Sequence, residues 1–461
     1  MKNTILILLI LPGLFGCSVP PKSSSGEENE ENPTEVFNTP PLGETTDLAA
    51  GYSIYLPSGY VGQKSWPVIY FLDAHARGRL PLEKYAPLAE AQGFVLAGSK
   101  RSKNGQLPAQ NMQAARDMIQ DVQNKFSIDA RRMYIAGFSG GARVAAAVAQ
   151  ERVDIAGVIA CGAGYKPRPG DKFTFAGLAG MKDFNYQEFR QLDRSLEESG
   201  VVHLVEYFPG EHDWAPVSVM AKALQWQQFR GMATSALPRN DTAIDNMLVR
   251  VRYQDEKLKA DGTAFQRWLL RKRIINYLDG LTDLSGLIAE REELRNHPET
   301  QAELSRQEDE FQREIKMQRE YGRALQTEDL GYWTRVADML HKMARNGDRF
   351  DAWLNQRVLN YLSLNAYLIG SRSLQSGNGE AAERMLAIYA LVDPENSEHA
   401  YLTAALRVKQ NRPEEALDAL RLAVELGFAD LPRLQSDPQL RPLQGNPDYP
   451  AIEAEVAKNR E

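Results

Sequence analysis

The stretch Tyr134-Ile135-Ala136-Gly137-Phe138-Ser139-Gly140-Gly141-Ala142-Arg143 decides how this chain folds. A strand-like apolar run enters Gly-x-Ser-x-Gly, and the small-residue segment 142–149 continues as a helix. A serine on so tight a strand-to-helix turn needs neighbours two positions away that lack side chains. Gly137 and Gly141 supply that clearance, and Gly140 adds backbone freedom immediately after the serine. The expected result is an exposed Ser139 Oγ at the end of a sheet, with the Gly140 N–H facing the same space as an oxyanion donor.

Working outward, strand-like and helix-like segments alternate from Tyr52 to about Met232, as in a mostly parallel, doubly wound sheet with covering helices. Strands are expected at 52–56, 68–72, 94–97, 133–136, 155–160, 173–177 and 203–208. Helices are expected at 112–125, 142–150, 187–199 and 217–229. Several strands are near-continuous apolar runs, which fits burial on both faces.

A serine is a weak nucleophile until a base, itself oriented by an acid, takes its proton. After an elbow of this kind the acid and then the base follow in the chain. Between Ser139 and Met232 there are two histidines, His203 and His212. His203 lies within a strand pattern, where a packing or strand-edge role fits. His212 lies in Phe208-Pro209-Gly210-Glu211-His212-Asp213-Trp214, a loop able to reach back over the sheet edge, and is the expected base. Asp183, in the loop after strand 173–177, is the expected acid, with a solvated loop residue or helix cap as the alternative. Asp171 precedes that strand at the wrong end, and Asp193 lies in a helix pattern. The second oxyanion donor is expected from the loop after strand 68–72, in Asp73-Ala74-His75-Ala76-Arg77-Gly78. There the N–H of His75 is the candidate, with a substrate contact for His75 and a turn cap at Asp73 as the alternatives.

Residues 50 to about 232 resemble the α/β-hydrolase superfamily, in particular compact secreted esterases of the dienelactone-hydrolase and polyester-depolymerase sort. The resemblance rests on Tyr55-Leu56-Pro57-Ser58-Gly59-Tyr60, the elbow Gly137–Gly141, and Gly210-Glu211-His212-Asp213-Trp214. It implies cleavage of an ester, thioester or amide through an acyl-enzyme, with Ser139 attacking, His212 moving the proton and Asp183 orienting His212. One departure is Asp73-Ala74-His75 where many relatives carry His-Gly-x. Another is the short spacing between Ile155 and Asp183, which leaves no room for a cap and favours bulky or polymeric acyl substrates. Two other readings stand beside it: a serine peptidase using the same residues, or a catalytically inactive hydrolase-fold scaffold acting through its helical repeats. Dinucleotide binding is disfavoured, because the elbow glycines do not form GxGxxG.

The chain's 461 residues exceed one typical core, so two or three domains are expected. Residues 1–17 read as a lipoprotein signal peptide: Lys2, an apolar run to Leu11, then Leu14-Phe15-Gly16-Cys17, which resembles the bacterial lipobox. A lipidated Cys17 places the protein in a bacterial cell envelope, at the outer membrane or cell surface in preference to the inner membrane. Residues 18–47, rich in Pro, Ser, Glu, Asn and Thr, read as a disordered tether. The hydrolase-like region is expected over 48–235, a helical region over 240–365, and repeats with a cap over 366–461. Between Pro238 and Pro394 only Pro298 interrupts a sequence dense in Glu, Arg, Leu, Ala and Gln. Ala382 and Ala416, and Leu386 and Leu420, are each separated by 34 residues, which resembles the tetratricopeptide pattern and implies a protein partner. Net charge is −7 without a long basic block, which argues against nucleic acid. The two cysteines, Cys17 and Cys161, make no disulfide framework, and no HExxH or CxxC spacing points to a metal. No cofactor is expected.

Overall fold

The computed structural model describes residues 39–459, and the described residues from Pro40 onward form one compact unit. The expected signal peptide with Cys17, and most of the expected tether, lie outside the described residues.

Eight strands make one sheet: β1 Thr45–Leu48, β2 Tyr52–Tyr55, β3 Trp66–Leu72, β4 Val95–Ser99, β5 Ile128–Phe138, β6 Gly157–Cys161, β7 Thr174–Gly180 and β8 His203–Phe208. Their spatial order is β1-β2-β4-β3-β5-β6-β7-β8. Strand β2 runs antiparallel to both neighbours, and β3 to β8 are parallel. This is the mostly parallel, doubly wound sheet of the α/β-hydrolase type that the sequence predicts. The expected tether ends too late, because Thr45–Asp47 already pair with Ser53–Tyr55 in β1. That segment was masked in the sequence by its polar neighbours, while its two threonines suit an edge strand.

Alternation along each strand divides the core. In β3, Val68, Tyr70 and Leu72 face one side and Ile69 and Phe71 the other. Helices α2 Pro108–Lys125, α3 Gly140–Glu151 and α4 Tyr186–Ser199 cover the first face. The second face is covered by α1 Arg79–Gln92 and α5 Val217–Ala233. Helix α1 was not among the expected elements, since Pro81 and Pro87 interrupt its pattern; Gly93 ends it in the left-handed conformation.

The remaining helices are α6 Asp241–Asp261, α7 Ala264–Leu278, α8 Ser285–Arg295, α9 Pro298–Thr327, α10 Leu330–Asn346, α11 Arg349–Ser376, α12 Gly379–Val392, α13 Ser397–Lys409, α14 Pro413–Glu425, α15 Leu431–Ser436 and α16 Tyr449–Lys458. None of the described helices is long and apolar enough to cross a membrane. Ala382 and Ala416 occupy the fourth position of α12 and α14, and both are fully buried. The expected boundary at 365/366 falls inside α11, which runs unbroken because no proline interrupts it and Gly370 packs against Leu386. The 34-residue offset marks equivalent positions without marking a domain edge.

Helices α6 and α7 belong to the same core as the sheet. Ile244, Val251, Leu270, Ile274 and Tyr277 join Trp226 and Phe229 of α5 in one buried cluster. Fully burying one large apolar side chain is worth about 1.5–3 kcal/mol. A chain ended after Pro238 uncovers several at once and is expected to lose its cooperative thermal transition or its solubility. A circular-dichroism melt matching the full-length protein would contradict that packing.

Candidate active site

The site is built where β5 turns into α3, beside β3 and at the point where chain connections diverge to either side of the sheet. Ser139 has φ 53° and ψ −120°, a conformation that costs a non-glycine residue about 1–3 kcal/mol. Its surroundings hold it there. A Cβ on Gly137 would meet the Gly141 carbonyl oxygen at 2.3 Å, and one on Gly141 would meet the Leu72 carbonyl oxygen at 2.0 Å. Strand, turn and helix therefore pack backbone to backbone, as the elbow pattern implies. The Ser139 N–H donates to the Cys161 carbonyl at 2.9 Å. A Cβ on Gly140 would strike Asn104 Oδ1 at 1.9 Å, so the Asn104 side chain packs directly against Gly140. The Gly140 N–H opens α3, in the first turn, where amides have no intrahelical acceptor.

The loop after β7 carries Asp183 and the loop after β8 carries His212. His212 Nε2 lies 3.0 Å from Ser139 Oγ, and His212 Nδ1 lies 2.9 Å from each Asp183 oxygen. A carboxylate only accepts, so Nδ1 donates to it and Nε2 is left to accept the Ser139 proton. The Asp183 side chain is fully buried. Its Oδ1 also takes the Asn185 N–H at 2.8 Å, while Asn185 Nδ2 donates to the Gly162 carbonyl at 2.7 Å. The His212 ring lies between Phe138 and Phe184, with centroid distances of 4.8 and 4.2 Å. Gly162, at φ +68°, leaves room for this group; a Cβ there would come within 3.0 Å of the imidazole.

The other sequence candidates fall elsewhere. His203 bonds the Val201 carbonyl at 2.7 Å and Asp193 at 3.1 Å, both structural contacts. Lys272 sits 3.0 Å from Asp193 and 3.4 Å from Glu197, so this acidic group already has its cation. Asp171 accepts from Gln150 and the Arg168 amide, away from the elbow. Cys161 is buried, and burial pushes its thiol up to about 12, which leaves it inert at neutral pH.

No protein-family model and no curated protein matches this chain. Solved structures similar to it include FphF, a fluorophosphonate-binding serine hydrolase of Staphylococcus aureus, at 14% identity and TM-score 0.32, covering 38% of this chain and 91% of that one. An esterase of Pyrobaculum calidifontis is similar at 11% identity and TM-score 0.34, covering 42% and 85%. Esterase B of Lactobacillus rhamnosis is similar at 13% identity and TM-score 0.32, covering 40% and 84%. The chemistry proposed below rests on the geometry of Ser139, His212 and Asp183.

The second oxyanion donor expected at His75 is corrected. The His75 N–H donates to Asp73 Oδ1 at 2.8 Å and so is committed within its own loop. Asp73 caps this turn, the alternative the sequence left open. Its buried carboxylate also accepts from Arg77 Nε at 2.9 Å, Arg77 Nη2 at 3.0 Å and Trp214 Nε1 at 2.9 Å. Asp73 thus ties the loop after β3 to the loop carrying His212.

Burial alone would raise the Asp73 pKa. Arg77, the His75 amide and the Trp214 indole outweigh burial and hold the carboxyl below its ordinary value of 3.8. A depressed carboxylate stabilises the fold above its unfolded pKa and loses that contribution as pH falls through the folded one. Asp73→Asn is expected to cost about 1–3 kcal/mol near neutrality, the typical penalty for unsatisfied buried polar groups. The gap to wild type should close below pH 3.8. Urea denaturation of both proteins across pH measures this, and a gap independent of pH would refute it.

Proposed function

We propose that this protein is a serine hydrolase that cleaves carboxylic esters through an acyl-enzyme. The observation that carries the reading is the chain of hydrogen-bonding distances from Ser139 Oγ through His212 to the buried Asp183, set on a strained elbow. Ser139 Oγ attacks the ester carbonyl carbon while its proton passes to His212 Nε2. Asp183 holds the imidazole by its Nδ1–H and stabilises the imidazolium. Negative charge develops on the carbonyl oxygen, facing the Gly140 N–H at the N-terminus of α3, where the helix dipole adds to the attraction. Collapse breaks the C–O bond, and the alcohol leaves with the proton from His212. Water, deprotonated by the same nitrogen, then attacks the acyl carbon and frees Ser139.

The two aromatic rings flanking His212 exclude water from the His212–Asp183 contact, which strengthens it. The short connection between β6 and β7 carries no helix that caps the serine, which supports bulky or polymeric acyl substrates. We extend the reading to a lipid anchor at Cys17 in a bacterial envelope, supported by the apolar run and the lipobox-like residues before it. A protein partner for the C-terminal helices α12 to α16 belongs to the same proposal.

Purified protein lacking residues 1–17 is expected to take up a fluorophosphonate probe stoichiometrically, and Ser139→Ala to take up none. His212→Ala should slow ester turnover by about 10³-fold or more, as for bases in such triads. Failure of folded wild-type protein to react would refute the hydrolase reading. For the anchor, membrane association in a bacterial host should be lost in Cys17→Ser; retention would refute it.

A further inference from the structure

The loop that presents Asp183 is held from the far half of the chain. Arg357 Nη1 donates to the Met181 carbonyl at 2.8 Å, and Asn360 Nδ2 donates to the Lys182 carbonyl at 2.9 Å. Both donors lie one turn apart on α11, and their acceptors are the two carbonyls immediately before Asp183. Arg357 is itself fixed. Its Nε and Nη2 bond Glu314 Oε2 of α9 at 2.9 and 2.6 Å, and its guanidinium lies 4.5 Å over the Tyr186 ring. Glu314 also accepts from Gln187 Nε2 at 2.7 Å. Arg357 and Glu314 are both buried. Farther along α4, Arg190 donates to the Gln307 carbonyl of α9 at 2.9 Å, and Arg194 meets Glu308 at 2.7 Å.

Surface contacts between two domains are ordinarily exposed and exchangeable with water. This one buries a charged pair, and the remaining guanidinium nitrogen of Arg357 is spent on the loop before Asp183. Breaking a buried pair leaves an uncompensated charge, so the clamp is far more rigid than a rim contact. A displacement of about 1 Å in a triad member costs on the order of 10²-fold in rate. From these contacts we infer that Arg357 and Asn360 are positioning residues: helix α11 sets where Asp183 meets His212, and the helical half is a working part of the active site. The inference rests on the proposed hydrolase reading.

Arg357→Met strands Glu314 in the core and risks unfolding, so the decisive variant is Asn360→Leu. It is half-buried, similar in size and outside the ion pair. Steady-state hydrolysis of a p-nitrophenyl ester by wild type, Asn360→Leu, Asp183→Asn and the double variant closes a thermodynamic cycle. Asn360→Leu should lower kcat about tenfold with KM changed less than about twofold, since only transition-state orientation is lost. In the Asp183→Asn background the same substitution should change kcat less than about twofold, because the acid it positions is already gone. An equal loss in both backgrounds, or none in either, overturns the positioning role. Fluorophosphonate labelling of the wild type separates the two claims: a reactive Ser139 with no Asn360 effect sinks the clamp alone, and an inert Ser139 sinks both.

Discussion

Every part of the site depends on one steric constraint, the backbone-to-backbone contact of Gly137 and Gly141 with each other and with the end of β3. That contact leaves no volume for side chains and obliges the chain to turn in the three residues between the glycines. Ser139 takes the unfavourable φ that the turn demands. The strain is sustained because β5 and β3 are central strands, hydrogen-bonded on both sides, with β3 buried throughout and β5 buried from Met133 to Phe138. Strained backbone of this kind persists only where the surrounding packing over-determines it.

Around that fixed point, three loops from different strands converge, and each is held by a polar network rather than by regular structure. The loop after β3 is organised by the buried Asp73, which also reaches Trp214 beside His212. The loop after β7 is fixed internally by Asn185 and externally by α11. Buried networks of this sort rigidify when fully satisfied. The helical half therefore differs from an appended binding arm. Its α6 and α7 share the apolar core of the sheet, and its α9 and α11 share the polar framework of the acid loop.

The sequence made the elbow, the sheet class and the trio Ser139, Asp183 and His212 legible because each depends on local pattern. Gly spacing encodes a tight turn, apolar runs encode buried strands, and loop position after a strand encodes the end of the sheet where side chains meet. The oxyanion assignment at His75 failed for a three-dimensional reason. Whether an amide points into a cleft or toward a neighbouring carboxylate is set by the path of a six-residue loop, which spacing does not record. Asn104, Phe184 and Asn185 were overlooked although the last two adjoin Asp183, since an aromatic or amide in a loop has no distinctive period. Arg357 and Asn360 lie more than 170 positions from the carbonyls they hold. A buried arginine on a helix otherwise lined with Leu and Val, at 354, 358, 359 and 362, was the one available sign.

The central claim is that Ser139 becomes acylated during turnover. Rapid-quench mass spectrometry of the enzyme reacting with an activated ester such as a p-nitrophenyl acetate tests it directly. An acyl mass on the peptide containing Ser139, appearing with the first equivalent of released alcohol and absent in Ser139→Ala, is the predicted result. Ester turnover that continues in Ser139→Ala, or an acyl group found on another residue, would contradict it.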